Sequence, residues 1–408
     1  MTSGTRTHCR ACDGALAAVM ADLGMQPASN AYLPPDNLGS EKRYPLRAQV
    51  CGTCMLVQID YDVPPEELFS NYAYFSSFSD SWLTHARAYC EMATKRLNLG
   101  KNSLVVELAS NDGYLLKNFV AAGIPVLGID PSDTVAAAAE KAGVPTLVEF
   151  FGKAVASRLA GEGRQADLII ANNVLAHVPA LNDFVAGIST LLGPEGTLTV
   201  EFPHVLKLVE HVEFDTIYHE HFSYISLIAI EQVFARQGLA IYDVDELPTH
   251  GGSLRIYAGH AKAGRIAGPN LHKVRADEKA AGLDKLSTYE NFSRKVEECR
   301  RTVMAFLAEN KNVLAYGAAA KGNTLLNYCG VTPAQIAMVA DRNPHKQGKL
   351  LPGSHIPVVS PETMMAAKPD YVLILPWNLK IEVMQQLKEI RGWGGKFATP
   401  IPVLKIQA

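Results

Sequence analysis

Three groups of residues have types and spacings that could do chemistry. The first is Cys9-Arg-Ala-Cys12 and Cys51-Gly-Thr-Cys54, two CxxC knuckles with 38 residues between them. Paired knuckles let four thiolates close a tetrahedral shell, and the glycine in the second permits its tight turn. Zinc is the metal such a set selects. A shell filled by Cys9, Cys12, Cys51 and Cys54 has no open position, so the metal is expected to be structural. A redox dithiol would need one pair, and two occur. Cys90, Cys299 and Cys329 stand alone and suit core or surface thiols better than nucleophiles.

The second group is Glu107-Leu-Ala-Ser-Asn-Asp-Gly113, where an apolar run meets a tight loop. A helix is expected from Tyr114 to Ala122, then a strand ending at Asp130, 23 residues after Glu107. Strand, turn, helix, strand and terminal acid form the βαβ arrangement in which a carboxylate grips adenosine ribose hydroxyls. The loop lacks GxGxxG, whose bare backbone a diphosphate needs. S-adenosylmethionine (AdoMet) has no phosphate. Its amino-acid tail and sulfonium favour polar side chains and a nearby carboxylate, so AdoMet is the expected cofactor. The competing reading is an ordinary βα turn. Candidate contacts are Glu107, Ala109, Asn111 and Gly113 in the loop, Asp130 and Pro131 after the second strand, and Asn172 and Asn173 after the third. His177 lies just past that third strand end, where ligand sites concentrate.

The third group is Phe214-Asp-Thr-Ile-Tyr-His-Glu-His-Phe-Ser-Tyr224. A metal reading fails because HExxH is absent and adjacent side chains do not share one helix face. Acid/base work fits better. Removing a proton from carbon beside a carbonyl needs a base near neutral pKa and donors for the enolate oxygen. The bland alternative is a connecting segment with surface histidines.

These groups need a scaffold to position them. From Leu104 to about Gly259 short β-branched runs alternate with Ala/Leu-rich helical stretches, which signals a parallel sheet with crossover helices. Residues 1–70 are turn-rich, and Tyr72, Tyr74, Phe75 and Phe78 form an aromatic loop leading into a helix. A polar helical segment, Asp277 to Asn310, precedes a second alternating unit from Asn312 onwards. The expected architecture is α/β in three parts: a zinc-binding domain (1–70), an AdoMet-binding domain of the Rossmann-like class (71–270) and a Rossmann-like C-terminal domain (271–408). In the last, small residues around Tyr316 and Gly317 let a diphosphate approach the helix opened by Lys321 and Asn323. Asp341, Arg342 and Lys346 follow its next strand as phosphate or base contacts, unless this domain serves packing alone.

Composition narrows the function. The 408 residues are 48% hydrophobic and 19% charged, with a formal net charge of −3 and no Lys/Arg block, so a nucleic-acid partner is not indicated. No apolar run approaches the roughly 20 residues of a membrane span. Met1 to Arg10 lacks the apolar core of a secretory signal, and the odd cysteine count suits a reducing compartment. A cytoplasmic monomer is expected.

Cys9/Cys12/Cys51/Cys54, Glu107–Gly113, Tyr218-His-Glu-His221, His250-Gly-Gly252 and Tyr316-Gly-Ala-Ala-Ala-Lys-Gly322 occur in order. Together they resemble the sugar C-methyltransferases of deoxysugar and branched-sugar pathways, over nearly the whole chain. The resemblance implies a zinc domain, a central AdoMet domain and a C-terminal domain that holds a nucleotide-linked sugar. It also implies methylation at C3 of a nucleotide-diphosphate 4-keto-6-deoxyhexose. His221 would be the base, with Tyr218, Glu220 and His177 around the reacting carbon and a tyrosine at Tyr72 or Tyr74 closing over it. His219, in the same stretch, competes for the role of base. Ala109-Ser110 stands where other members can have Gly-Cys. The rival functions are an O- or N-methyltransferase, an NAD-dependent sugar oxidoreductase and a non-catalytic sugar-nucleotide binder.

Overall fold

The computed structural model describes residues 4–64, 68, 76–78 and 80–407. Its centre is a seven-stranded sheet in the spatial order Leu239–Leu247, Ser253–His260, Leu192–Pro203, Ala166–Asn172, Val105–Leu108, Val126–Ile129, Thr146–Leu147. All run parallel except Ser253–His260, which is antiparallel to both neighbours. The apolar runs expected to be strands are strands because they are covered on both faces; Val105, Val106, Ile169, Ile170 and Val200 are fully buried. The chain winds outwards from Val105–Leu108 to Thr146–Leu147, then returns to place Ala166–Asn172 on the other side. That reversal opens a crevice at the carboxyl ends of the two strands.

The N-terminal sheet is antiparallel: Leu16–Gln26, Tyr44–Cys51, Val57–Ile59 and then Ser223–Tyr224. The last strand comes from just after Tyr218-His-Glu-His221, so the N-terminal domain grips the histidine stretch by backbone pairing. A six-stranded C-terminal sheet follows the order Val358–Val359, Val339–Ala340, Val313–Tyr316, Tyr371–Ile374, Lys396–Thr399, Lys405–Gln407, parallel but for the last strand.

The polar helical segment expected at 277–310 is three helices, Pro269–Ala280, Leu286–Glu290 and Phe292–Glu309. Its acidic residue Glu278 is fully buried, where its carboxylate accepts from the Leu227 and Ile228 N–H groups at 2.6 and 2.8 Å and pairs with His204 at 2.6 Å. A buried carboxylate survives only with such partners. In a segment whose sequence is polar, this residue is held inside by capping the helix Leu227–Arg236.

Two cores hold the parts together. Met20, Leu23, Leu46 and Val50 of the N-terminal sheet share one core with Phe292, Val303, Leu325 and Leu373 of the C-terminal part. The cysteine end, with Cys9, Cys51, Cys54 and Leu56, belongs instead to the core of the central sheet beside Phe184 and Leu227.

Candidate active site

The four cysteines converge as expected. Their sulfurs all lie within 4.8 Å of one another, with Cys9–Cys54 at 3.6 Å and Cys12–Cys51 at 3.3 Å. Tetrahedral zinc at ~2.3 Å from each sulfur needs separations of about 3.8 Å, so the set fits the ion. The N–H groups of Ala11, Gly14, Thr53 and Cys54 point at the sulfurs of Cys9, Cys12, Cys51 and Cys51, 3.3–3.4 Å away, and favour thiolate.

At the crevice, the loop after Val105–Leu108 twists through left-handed backbone at Ala109 (φ 54°), Asn111 (51°) and Gly113 (74°). Its carboxylates gather: Asp130 accepts from the Asn111 and Ser132 N–H groups at 3.0 and 2.9 Å, and a buried oxygen of Glu107 and another of Asp112 have no hydrogen-bond partner. Burial pushes Glu107 well above the usual carboxylate range, and Asp130 and Asp112 push it further. Three crowded acids, two of them with an unsatisfied oxygen, suit a cationic ligand, which the sulfonium and ammonium of AdoMet supply. Asn172 and Asn173 end the neighbouring strand with further unpartnered amide atoms, Asn173 at φ 55°. Pro131 sits exposed at the rim. From above, the Ser76 and Ser77 N–H groups donate to the side chains of Asn111 and Asp112 at 3.0 and 3.2 Å. Tyr72 and Tyr74 lie outside the described residues.

The histidine stretch sits over the next strand ends, and the backbone sends its two histidines in different directions. His219 is buried, paired with the Pro45 carbonyl at 3.2 Å and packed on Tyr44. His221 faces the crevice: its ring stands edge-on to His177 at 4.7 Å and against Tyr218 at 4.0 Å. Its Nδ1 is 2.9 Å from the Thr216 carbonyl, which can only accept, so Nδ1 carries the proton and Nε2 a lone pair. Burial holds its pKa well below the ordinary histidine value, and His177, His250 and Lys321 add to the effect. His177 is likewise held down to about 4 by burial. Glu220 takes both Asn30 amide contacts, at 2.8 and 3.0 Å, and burial raises its carboxyl to about 7.

Several residues of this region went unread in the sequence. Glu201, fully buried at the next strand end, pairs with His85 at 3.0 Å and Arg255 at 2.9 Å, and accepts from Thr249 at 3.3 Å. Burial alone would raise its pKa, but His85 and Arg255 outweigh burial and hold it below the carboxylate range. His85 and Trp82 lie three apart on the helix Asp80–Arg96, stacked at 5.0 Å. That i, i+3 spacing was a legible signal for one shared face. Glu213 and Asp215 precede the histidine stretch; burial raises them to about 8 and about 6.

The C-terminal candidates divide. Lys321, one residue into the helix Ala320–Cys329, reaches towards the histidines: it donates to Asn378 at 3.0 Å, lies 4.6 Å from the Trp377 ring, and feels Asp215 and Glu213. Trp377 in turn donates to Asp215 at 2.8 Å. Asn323 is a tie to the N-terminal domain, donating to the Ser29 carbonyl at 2.6 Å. Tyr316 bonds Gln386 at 3.0 Å, and a side chain at Gly317 (φ 94°) would collide with Pro376. Lys346 donates to the Ala318 carbonyl at 2.6 Å, which also takes the Tyr32 hydroxyl, and lies 3.9 Å from Asp341. Arg342 is exposed nearby.

A four-cysteine shell and a crevice of crowded carboxylates at the strand ends suit an AdoMet-dependent methyltransferase. Residues 9–69, 82–244 and 248–402 match, in that order, family models described as a zinc binding domain, a methyltransferase domain and a C-methyltransferase C-terminal domain. The C-methyltransferase NovU of Streptomyces niveus is 36% identical over 400 residues, 97% of this chain and 95% of its own. The chain belongs to the sugar C-methyltransferase family. It is an enzyme that uses AdoMet, with zinc on its four cysteines. Solved structures similar in part include magnesium protoporphyrin IX methyltransferase from Synechocystis PCC 6803 (18% identity, 44% of this chain and 77% of that one, TM-score 0.32). Another is an S-adenosylmethionine-dependent methyltransferase from Clostridium acetobutylicum (14%, 50% and 96%, 0.35). Among the described residues no helix is long and apolar enough to cross a membrane.

Proposed function

We propose that the enzyme methylates C3 of a nucleoside-diphosphate 4-keto-6-deoxyhexose through an enolate. The carrying observation is His221, whose Nδ1 is committed to the Thr216 carbonyl while its ring faces His177 and Tyr218. In the reaction Nε2 takes the proton from C3; the C–H electron pair becomes the C3–C4 double bond, and the carbonyl pair moves to oxygen. Bound AdoMet supplies an electrophilic methyl, so the C3–methyl bond forms as the sulfur–methyl bond breaks and S-adenosylhomocysteine leaves. Tyr218 and His177 pack the base into one orientation. Glu220 fixes the Asn30 loop beside them. The nucleotide part is read onto Tyr316, Gly317, Asp341, Arg342 and Lys346 of the C-terminal domain, whose fold leaves small residues at a strand end. The ribose and tail of AdoMet are assigned to Asp130 and to the Glu107–Gly113 loop with Asn172 and Asn173.

The test is mass spectrometry of the enzyme with AdoMet and a panel of nucleoside-diphosphate 4-ketohexoses in deuterated water. A C-methylated product is expected, with deuterium entering C3 of unreacted ketone when S-adenosylhomocysteine replaces AdoMet. Methylation of a ketone-reduced sugar at the same rate would overturn the enolate.

A further inference from the structure

His250 has an unusual backbone and unusual surroundings. It adopts left-handed φ (58°), followed by Gly251 (102°) and Gly252 (136°), so three consecutive residues hold positive φ. A non-glycine residue kept there costs of order 1–3 kcal/mol and persists where the surroundings impose it. Here they do: a β-carbon on Gly251 would lie 2.4 Å from Glu213 Oε1 and 2.7 Å from the Trp377 ring, and the Gly252 carbonyl accepts from the His204 N–H at 3.0 Å. The turn is clamped from beneath, at the carboxyl edge where Thr249 meets Glu201. The ring stands edge-on to Trp82 at 5.6 Å, and the residue as a whole is exposed. Among the described residues neither ring nitrogen has a hydrogen-bond partner. It interacts electrostatically with Lys321, Glu201, His85 and His177, and acts in turn on His221.

We propose that His250 touches the acceptor directly, as a neutral imidazole whose N–H binds the oxygen that becomes negative when His221 removes the proton. This rests on the enolate reading above. One proton leaves C3, so one histidine suffices as base. His221 has its outer nitrogen free as an acceptor, while His250 has nitrogens free on a strained, clamped turn. Desolvation of the ring and then Lys321 lower its pKa, so near neutral pH it is the neutral imidazole, with one N–H to donate. Lys321, with one of its three N–H groups on Asn378, adds positive potential on the same side.

Replacement His250→Gly suits the left-handed backbone and deletes the ring. His250→Asn and His250→Gln return an amide N–H near the place of Nδ1 or Nε2 respectively. Read for all three are AdoMet affinity, methyl transfer, and deuterium exchange into the 4-keto substrate with S-adenosylhomocysteine bound. His250→Gly is expected to lose about 10²–10³-fold in both exchange and kcat, the cost of one oxyanion donor. KM and AdoMet affinity should stay within about threefold, and one of the two amides should recover at least about tenfold. Wild-type exchange that persists in His250→Gly overturns this assignment alone, as does a loss confined to KM or a failure of both amides to recover. A wild type that neither exchanges nor methylates any 4-keto sugar nucleotide overturns the enolate reading, and this assignment with it.

Discussion

At the scale of single residues, His221→Ala should lower kcat by about 10²–10⁴-fold, the usual worth of a general base, with AdoMet affinity unchanged by calorimetry. His219→Gln should leave kcat within a few-fold and lower thermal stability instead, because that ring is committed to Pro45 and Tyr44. The sequence left these two histidines in competition; no pattern at spacing two says which ring turns inward, since that depends on Ser223–Tyr224 pairing with Val57 and Gln58. The pH profile follows the same geometry. An isolated imidazole would set the acid limb of kcat/KM near ~6.5. Here burial, the neighbouring histidines and Lys321 lower the pKa of His221, and the proposed base role requires its neutral form. The rate should therefore hold as pH falls through ~6.5 and drop only at lower pH. Lys321→Met removes one positive neighbour and should move that limb upward.

At the scale of elements, the site stands on turns more than on regular structure. Gly251→Ala meets both a positive φ and a collision with Glu213 and Trp377. It is expected to cost about 1–3 kcal/mol and, by shifting His250, to lower kcat more than it weakens AdoMet binding. Thermal unfolding and steady-state kinetics would separate the two effects. The parallel strands were legible because doubly buried strands write continuous apolar runs, as in Val105–Leu108 and Ala166–Asn172, whereas their spatial order was not. The cysteine shell was legible because both knuckles are local. Trp82, His85, Glu201 and Arg255 were not, since that cluster joins a helix to strands more than a hundred residues away. The tie of Asn323 to the N-terminal domain was hidden for a related reason: its amide N–H reaches the Ser29 carbonyl nearly 300 residues away in sequence, while its Oδ1 stays unpartnered.

At the scale of the whole molecule, the zinc end of the N-terminal domain rests on the central sheet. Asn182 and Arg236 both donate to the Ala11 carbonyl, at 2.9 and 3.1 Å. Cys12→Ser, or removal of the metal with a strong chelator, should lower the midpoint of thermal unfolding, with a cost of order 4 kcal/mol. Because the opposite end of the same sheet seats Asn30 against Glu220 and Ser29 against Asn323, turnover should fall while AdoMet affinity, set on the central sheet, falls less. Calorimetry and kinetics on the same sample check that ordering.

The core shared by Met20, Leu46, Phe292 and Val303 has a consequence for the order in which the chain is made. The ribosome releases Leu16–Gln26 first, yet the helix Phe292–Glu309 that covers it emerges nearly 300 residues later. At about 5–20 residues per second, that is a wait of roughly 15–60 s with an apolar sheet face uncovered. The cysteine knuckles, whose ligands all lie within the first 54 residues, can close long before then. Early metal capture would hold the hairpin in register through the interval, guarding the nascent chain against wrong strand pairing.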